Sequence, residues 1–429
     1  SLALEDDIMT HTVITFLGIR PQLTIYRYEG REYQGLVFAE AILQFLSFDR
    51  MMVLTTPAAE FVFSSTLEMR NDPRIRKIPI PTGRDDKEMW GIFDKVIECI
   101  EEGEEVTFDI THGLRSIPFL AFLFAAYLKS AKGVTIRSIL YGALDLQKEN
   151  NGVAPVLNLS RFASMLDWIN ASDQFIQTGN ATRLADLLAV AKEQKRAAET
   201  LKSVSQAAFL CQPVSLMKAS TSLRPDLERA TASFSYTSKP FSVLSEKIIG
   251  IFDNFALKDP LDNPLEFIRR EWKMIEWYVG HGQMLQAVTL AREVMIDGVA
   301  MRYERNIELK HDQRSTLEKA ISGIAKINQP IMDENTGEKR KFSKDDLNRI
   351  GYQIYEEWPD SVSMAKTFSN LTRLRNQLSH AEHQADRMNL PKVERQISEV
   401  LDALHQLLVK WQILPADENP LADLPTPSD

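Results

Sequence analysis

The chain changes its hydrophobic period partway along, and that change limits its architecture more than any other feature. From His11 to about Leu159, short apolar runs alternate with helix-length amphipathic segments; from Ser164 onward the strand pattern disappears. Strand-like runs lie at Val13 to Gly18, Met51 to Thr55, Lys77 to Ile80, Glu105 to Ile110 and Ile136 to Ala143, with helical patterns at Gln34 to Phe45, Lys87 to Glu101 and Ile117 to Ala131. This alternation predicts an α/β, Rossmann-like N-terminal domain with a mainly parallel, doubly wound sheet. The remainder, with apolar residues three and four apart, predicts an all-α C-terminal half. Two prolines in "ALKDPLDNPLE" (Ala256 to Glu266) mark a break, "DENTGEKRKFSKDDL" reads as a long loop, and "ADENPLADLPTPSD" as a frayed tail. The expected domains are 1–165, a helical connecting region over 166–260, a helical bundle over 261–415 and a tail over 416–429.

Bulk properties exclude several function classes. At 429 residues, 44% hydrophobic and 25% charged, the chain reads as a soluble globular protein of two or three domains. A net charge of -9 opposes broad, non-specific binding to nucleic acid, so any phosphate site must be local. The basic runs "RIRK" (Arg74 to Lys77) and "EKRKFSK" (Glu338 to Lys344) read as solvated loop charge. Two distant cysteines, Cys99 and Cys211, can build neither a disulfide framework nor a cysteine metal cluster, which fits a reducing cytoplasm. "SLALEDDIMT" lacks a secretory pattern, and the longest apolar run, Ile117 to Leu128, is shorter than the roughly 20 residues that span a bilayer. The expectation is a cytoplasmic protein with no membrane partner and no DNA.

The stretch "TFDITHGLRSIPFLAFLFAAYL" (Thr107 to Leu128) carries the first candidate site: a strand, a polar loop and an oily helix. In a doubly wound sheet, ligands bind beyond the carboxyl ends of the strands. Ser116 suits an N-cap and Pro118 the first helical turn, which leaves free N–H groups facing Asp109, Thr111, His112, Gly113 and Arg115. Two further strand ends, "FLGIRPQ" with Gly18, Ile19 and Arg20 and "LTTPAAE" with Thr55 and Thr56, bring small, hydroxyl and basic residues to the same edge. The glycine-rich fingerprints for nicotinamide dinucleotides and nucleoside triphosphates are both absent. The residues alone leave two readings open: a nucleotide-like ligand, or ordinary connecting loops with a structural His112.

"DITHGLRSIP" (Asp109 to Pro118) resembles the D-x-T-H-G signature of CRISPR-associated proteins with a CARF domain, a Rossmann-like dimeric sensor. "ITFLGIRPQLTIYRYEG", "VLTT" and "LYGALDLQ" stand where that family has its first, second and a late strand. The resemblance covers roughly the first 165 residues and implies binding of cyclic oligoadenylate, the messenger made by type III CRISPR complexes. It favours the tetra-adenylate by family frequency, with the hexa-adenylate as the other ring.

In the helical half, "RLRNQLSHAEH" (Arg373 to His383) resembles the R-x4-6-H motif of HEPN ribonucleases, over about Glu266 to Leu414. So short a motif recurs by chance: Arg375 with His380, Arg373 with His380 and Arg305 with His311 all satisfy it. Arg375-Asn376 with His380 has the polar second residue and the late position that the family favours, and Leu371, Leu374 and Leu378 would seat its helix. The resemblance implies metal-independent cleavage of single-stranded RNA by 2'-hydroxyl attack, giving a 2',3'-cyclic phosphate, with no cofactor. His380 would move the proton, Arg375 would steady the phosphorane and Asn376 would orient one or the other. On an unbroken helix Arg375 and His380 lie about 140° apart, a separation eased by a homodimer whose two motifs share one cleft.

Competing readings predict other features. "HAEH" (His380 to His383) is not a zinc-protease motif. His281, His405 and the pair Trp277-Tyr278 read as packing residues. A messenger-binding scaffold would keep the helical fold without activity, and a transcriptional regulator would need a basic recognition helix that the sequence lacks. The expected partners are single-stranded RNA, cyclic oligoadenylate and a second copy of the chain; whether the sensor also cleaves its messenger is left open by Thr111, His112 and Arg115.

Overall fold

The computed structural model describes residues 9–112, 117–190, 192–232, 241–304, 311–332, 339–379 and 390–416. It divides into two compact units, Ser1–Ile169 and Asn170–Asp429.

The first unit runs β1 (His11–Phe16), β2 (Thr24–Tyr28), β3 (Arg31–Gly35), α1 (Phe38–Phe45), β4 (Arg50–Thr55), α2 (Glu60–Thr66), β5 (Ile75–Pro79), α3 (Asp86–Glu98), β6 (Glu105–Asp109), α4 (Ile117–Lys132), β7 (Thr135–Gly142) and β8 (Val153–Asn158). All eight strands join one sheet in the order β3-β2-β8-β7-β6-β1-β4-β5. The block β7-β6-β1-β4-β5 is parallel throughout, whereas β8 runs antiparallel to β7 and β3 antiparallel to β2. The α/β expectation therefore holds. Successive strand residues serve opposite faces: Val13 and Leu17 pack with Phe38, Ile42 and Phe63 beneath α1 and α2, while Ile14 and Phe16 pack with Ile92, Phe108 and Phe124 beneath α3 and α4. Two covered faces explain why these strands read as unbroken apolar runs rather than alternating ones.

Three elements differ from expectation, each for a local reason. The helix predicted from Gln34 starts at Phe38, because residues 31–35 pair with residues 24–28 in a hairpin. Its turn is made by Glu29 and Gly30, with φ of 49° and 78°, the left-handed pair that two-residue hairpin loops require. β8 escapes notice because it contains Pro155; the proline carbonyl accepts Ala143 N–H at 2.9 Å, so that ladder bond does not need the missing donor. The run Arg74 to Lys77, expected as loop charge, overlaps β5.

The second group of elements is helical: α5 (Ser160–Thr178), α6 (Thr182–Ala189), α7 (Lys195–Phe209), α8 (Pro213–Ala232), α9 (Phe241–Asp253), α10 (Pro264–Gly280), α11 (Met284–Glu304), α12 (His311–Lys326), α13 (Arg349–Glu357), α14 (Ser361–Ser379) and α15 (Leu390–Lys410). One correction applies: the polar loop after α12 carries a small antiparallel hairpin, β9 (Pro330–Met332) with β10 (Lys339–Lys341). Two prolines mark the break before α10, as read: Pro260 opens a short 3-10 turn, and Pro264 is the first residue of a helix capped by Asn263, whose side chain accepts Glu266 N–H. Trp277 stacks on His281 at 4.3 Å, and Tyr278 O–H donates to Ala208 O at 2.6 Å, so the aromatic pair packs as expected. Both His281 ring nitrogens face carbonyls, of Trp277 and Ile176, and His405 packs on Trp272. Both cysteines are free, and burial pushes the Cys211 thiol up to about 11. No described helix is long and apolar enough to cross a membrane.

Phe124 is fully buried and contacts the rings of Phe16, Phe93 and Phe108. Phe124→Ala is expected to destabilise the sheet unit by about 3–5 kcal/mol, read as an earlier transition in chemical denaturation.

Candidate functional site

The sheet order places a topological switch point between β1 and β6: β4 and β5 are laid down on one side of β1, and the chain then crosses to β6 on the other. Crevices in open α/β sheets form outside the carboxyl ends of strands at such a point. Gly18 follows β1 there, and Thr111 and His112 follow β6.

Asp109 anchors this edge. Its side chain is completely buried opposite Thr15 in the β1–β6 register; Oδ2 accepts Thr15 O–H at 2.5 Å and Oδ1 accepts Thr111 N–H at 2.8 Å. Thr111 Oγ1 in turn accepts Gly142 N–H at 2.8 Å, at the end of β7. The Asp109–Thr111 turn thus ties three adjacent strand ends. Burial pushes the Asp109 carboxyl up to about 6, while the hydrogen bonds from Thr15 and Thr111 pull it down. Burial lowers the His112 imidazole to about 4, so it is neutral near pH 7.

His112 turns back against the loop after β1. A Cβ added at Gly18 would sit 3.3 Å from His112 Cβ, so glycine is what lets that loop approach. Ile19 and Arg20 are exposed just beyond, and Arg20 forms no ion pair among the described residues. Thr55 and Thr56 stand at the end of β4 but are 2% and 7% exposed, held by local bonds: Thr55 Oγ1 donates to Val53 O, and Thr56 O accepts Ala59 N–H. Gly113 and Arg115 lie outside the described residues; α4 begins after them with Pro118 in its first turn. Tyr26, absent from the sequence reading, reaches this cleft from β2, with its hydroxyl 3.2 Å from His112 Nε2. The signal that might have found it is the E-G turn after an alternating "TIYRY".

Four residues of the two basic runs are held in ion pairs. Arg74 pairs with Asp72 at 2.6 Å, Lys77 with Glu60, Arg340 with Asp346 at 2.5 Å and Lys344 with Glu356 at 2.8 Å.

In the helical unit, Arg375 and Asn376 lie near the end of α14, both half-buried. Leu371 and Leu374, 0% and 1% exposed, seat this helix as the apolar stripe requires. Asn376 and Arg373 help line a cavity of about 590 Å³ between α12 and α14, with Lys326, Gln329, Phe368 and Thr372; Arg375 is not among its lining residues. His380 and the alternative pair Arg305-Asn306 lie outside the described residues, and His311 is exposed at the start of α12.

Comparison with known proteins bears on the second half first. A family described as "CRISPR-associated protein MJ1674, second domain" matches residues 164–259. The chain is 35% identical over 130 residues to the CRISPR-associated protein MJ1674 of Methanocaldococcus jannaschii, a match covering 30% of this chain and 20% of that relative. Enterococcus italicus Csm6 bound to cyclic hexa-2'-fluoro-hexa-dAMP aligns with 95% of this chain and 96% of its own, at 10% identity and a TM-score of 0.43. The resemblance to a CRISPR-associated protein read from the sequence is thus borne out.

The two perturbed groups act on stability in opposite directions. Asp109, raised from 3.8 to about 6, holds a proton that the unfolded chain has lost, so its contribution falls as pH rises from about 4 to 6. His112, lowered from 6.5 to about 4, lacks a proton that the unfolded chain binds, so its contribution rises from about pH 4 to 6.5. In denaturation across that range, His112→Gln is expected to become less stable relative to Asp109→Asn as pH increases; the reverse order contradicts these assignments.

Proposed function

We propose that this chain is a cyclic-oligoadenylate-activated, HEPN-type endoribonuclease of type III CRISPR defence that works as a homodimer in the cytoplasm. The observation that carries the reading is the switch-point cleft, where Asp109, Thr111 and His112 are fixed against the glycine after β1. The resemblance of D-x-T-H-G to the sensor family and the sequence match to a CRISPR-associated relative support it. Gly18, Ile19, Arg20, Thr111 and His112, with Gly113 and Arg115, form the ligand cradle, and Thr55, Thr56 and Asp109 hold its strand ends. Arg20 gives the cradle fixed positive charge, as a phosphate ligand needs in a chain of net charge -9. The tetra-adenylate is the favoured ring.

The helical half supplies the nuclease. His380 transfers the proton of the attacking 2'-hydroxyl, Arg375 neutralises charge developing on the phosphate, and Asn376 orients them; two copies of the motif complete the cleft. Arg375 on the well-seated α14 and the groove beside Asn376 support this assignment. The oily helix α4 supports dimerisation, since Phe119, Leu123 and Tyr127, four residues apart, are 72%, 48% and 47% exposed.

The test is cleavage of a fluorescent single-stranded RNA in EDTA with no ligand, cyclic tetra-adenylate or cyclic hexa-adenylate. Cleavage is expected only with a ring, and His380→Ala and Arg375→Ala are each expected to lower its rate by at least about 100-fold. Leu123→Asp is expected to shift the dimer to monomer in light scattering and to abolish cleavage. Ring binding without cleavage would overturn the nuclease and leave a messenger-binding scaffold; cleavage that survives His380→Ala would move the active site to His311.

A further inference from the structure

Tyr26 enters the cleft from outside the motif. It stands mid-strand in β2, completely buried, with its ring tilted on Phe38 at a centroid distance of 5.0 Å. Two glycines make room for its approach to His112. A Cβ at Gly142 would lie 3.0 Å from Tyr26 Cε1 and 3.1 Å from Thr111 Cγ2, and a Cβ at Gly18 would press on His112 from the other side at 3.3 Å. Side chains at either position would displace one ring or the other, so the pair is built into the packing.

The hydrogen bond between Tyr26 and His112 has a preferred direction. Burial holds the phenol above its ordinary range and the imidazole below its own, so both partners are neutral. Among the described residues the Tyr26 hydroxyl makes a hydrogen bond of good geometry only with His112; the Thr24 hydroxyl is also close enough to act on the phenol, but it makes no well-aligned bond to it and gives its own hydrogen to Gln22 O. If His112 donated from Nε2, the phenol hydrogen would be left in a fully buried place with no well-aligned acceptor, only the poorly placed Thr24 hydroxyl, at a penalty of up to about 1–3 kcal/mol. If Tyr26 donates, Nε2 accepts, and the imidazole hydrogen resides on Nδ1.

We propose that Tyr26 is a positioning residue that locks His112 as the tautomer protonated on Nδ1 and so presents an N–H donor at the loop after β1. Nδ1 faces that loop, 3.7 Å from where a Gly18 Cβ would be, and has no hydrogen-bond partner among the described residues. The acceptor it fits is an oxygen of a nucleotide phosphate or ribose. The role rests on the reading of this cleft as a cyclic-oligoadenylate site.

Long-range proton–nitrogen correlation on protein with ¹⁵N-labelled histidine, without ligand, reads the tautomer directly; the His112 signal is assigned by its loss in His112→Ala. The wild type is expected to show His112 protonated on Nδ1 alone. Tyr26→Phe is expected to lose that purity, and so is Gly142→Ala, which displaces the ring rather than deleting the hydroxyl. Tyr26→Phe is further expected to bind cyclic tetra-adenylate or cyclic hexa-adenylate about five- to tenfold more weakly. A wild-type ring protonated on Nε2, a tautomer unchanged in Tyr26→Phe, or undiminished binding after the tautomer changes would each overturn the proposal. If the wild type binds neither ring, the cleft's ligand reading fails and with it the presented donor, while the tautomer spectra still decide the Tyr26–His112 lock.

Discussion

One buried carboxylate organises the cleft. Asp109 has no access to water, and its oxygens are met by a hydroxyl from β1 and by the backbone two residues downstream. A buried carboxylate without such partners would be strongly destabilising, so β6 must end in register with Thr15 and then turn. That turn places Thr111 to take the Gly142 N–H and sends His112 toward Gly18. The geometry of the edge follows from satisfying this one group, and the proposed ligand cradle would inherit its precision from it.

The sheet supplies the rest of the rigidity. Apolar side chains from β1 and β4 pack on both faces of the sheet and those of β6 on one, and the aromatic cluster around Phe124 fixes α4 behind the loop. Of the residues proposed for the cradle, Gly18, Ile19, Arg20, Thr111 and His112 stand on the loops after β1 and β6, the kind of position that carries binding residues on a rigid scaffold. In the helical unit the same division recurs: Leu371 and Leu374 anchor α14 in its core, and the polar residues Arg373 and Asn376 face a groove.

Much of this was legible in the sequence because the physics is local. β1 and β4 carry apolar residues on both sides, β6 alternates Val106 and Phe108 with Thr107 and Asp109, and the motif Asp109 to His112 begins at its last residue. What escaped depends on pairing across distance. β2 and β3 are short and polar on one side, and only their left-handed turn residues announce the hairpin. Tyr26 lies 86 residues from His112, and no spacing rule connects them; β2 joins this sheet only by pairing with the late strand β8, which in turn pairs with β7. Thr55 and Thr56, the hydroxyls at the end of β4, are 2% and 7% exposed, and Thr55 Oγ1 donates to Val53 O. The polar loop after α12 hid a hairpin for the same reason that β3 was missed: its strands are too short and too charged to show alternation.

Calorimetric titration decides whether the switch-point cleft binds cyclic oligoadenylate, as proposed. Cyclic tetra-adenylate and cyclic hexa-adenylate would each be titrated into the wild type and His112→Ala at one salt concentration. Saturable binding of one ring is expected, at half a ring per chain in a dimer, weakened at least about tenfold in His112→Ala. No binding of either ring, or equal affinity in the variant, would contradict it.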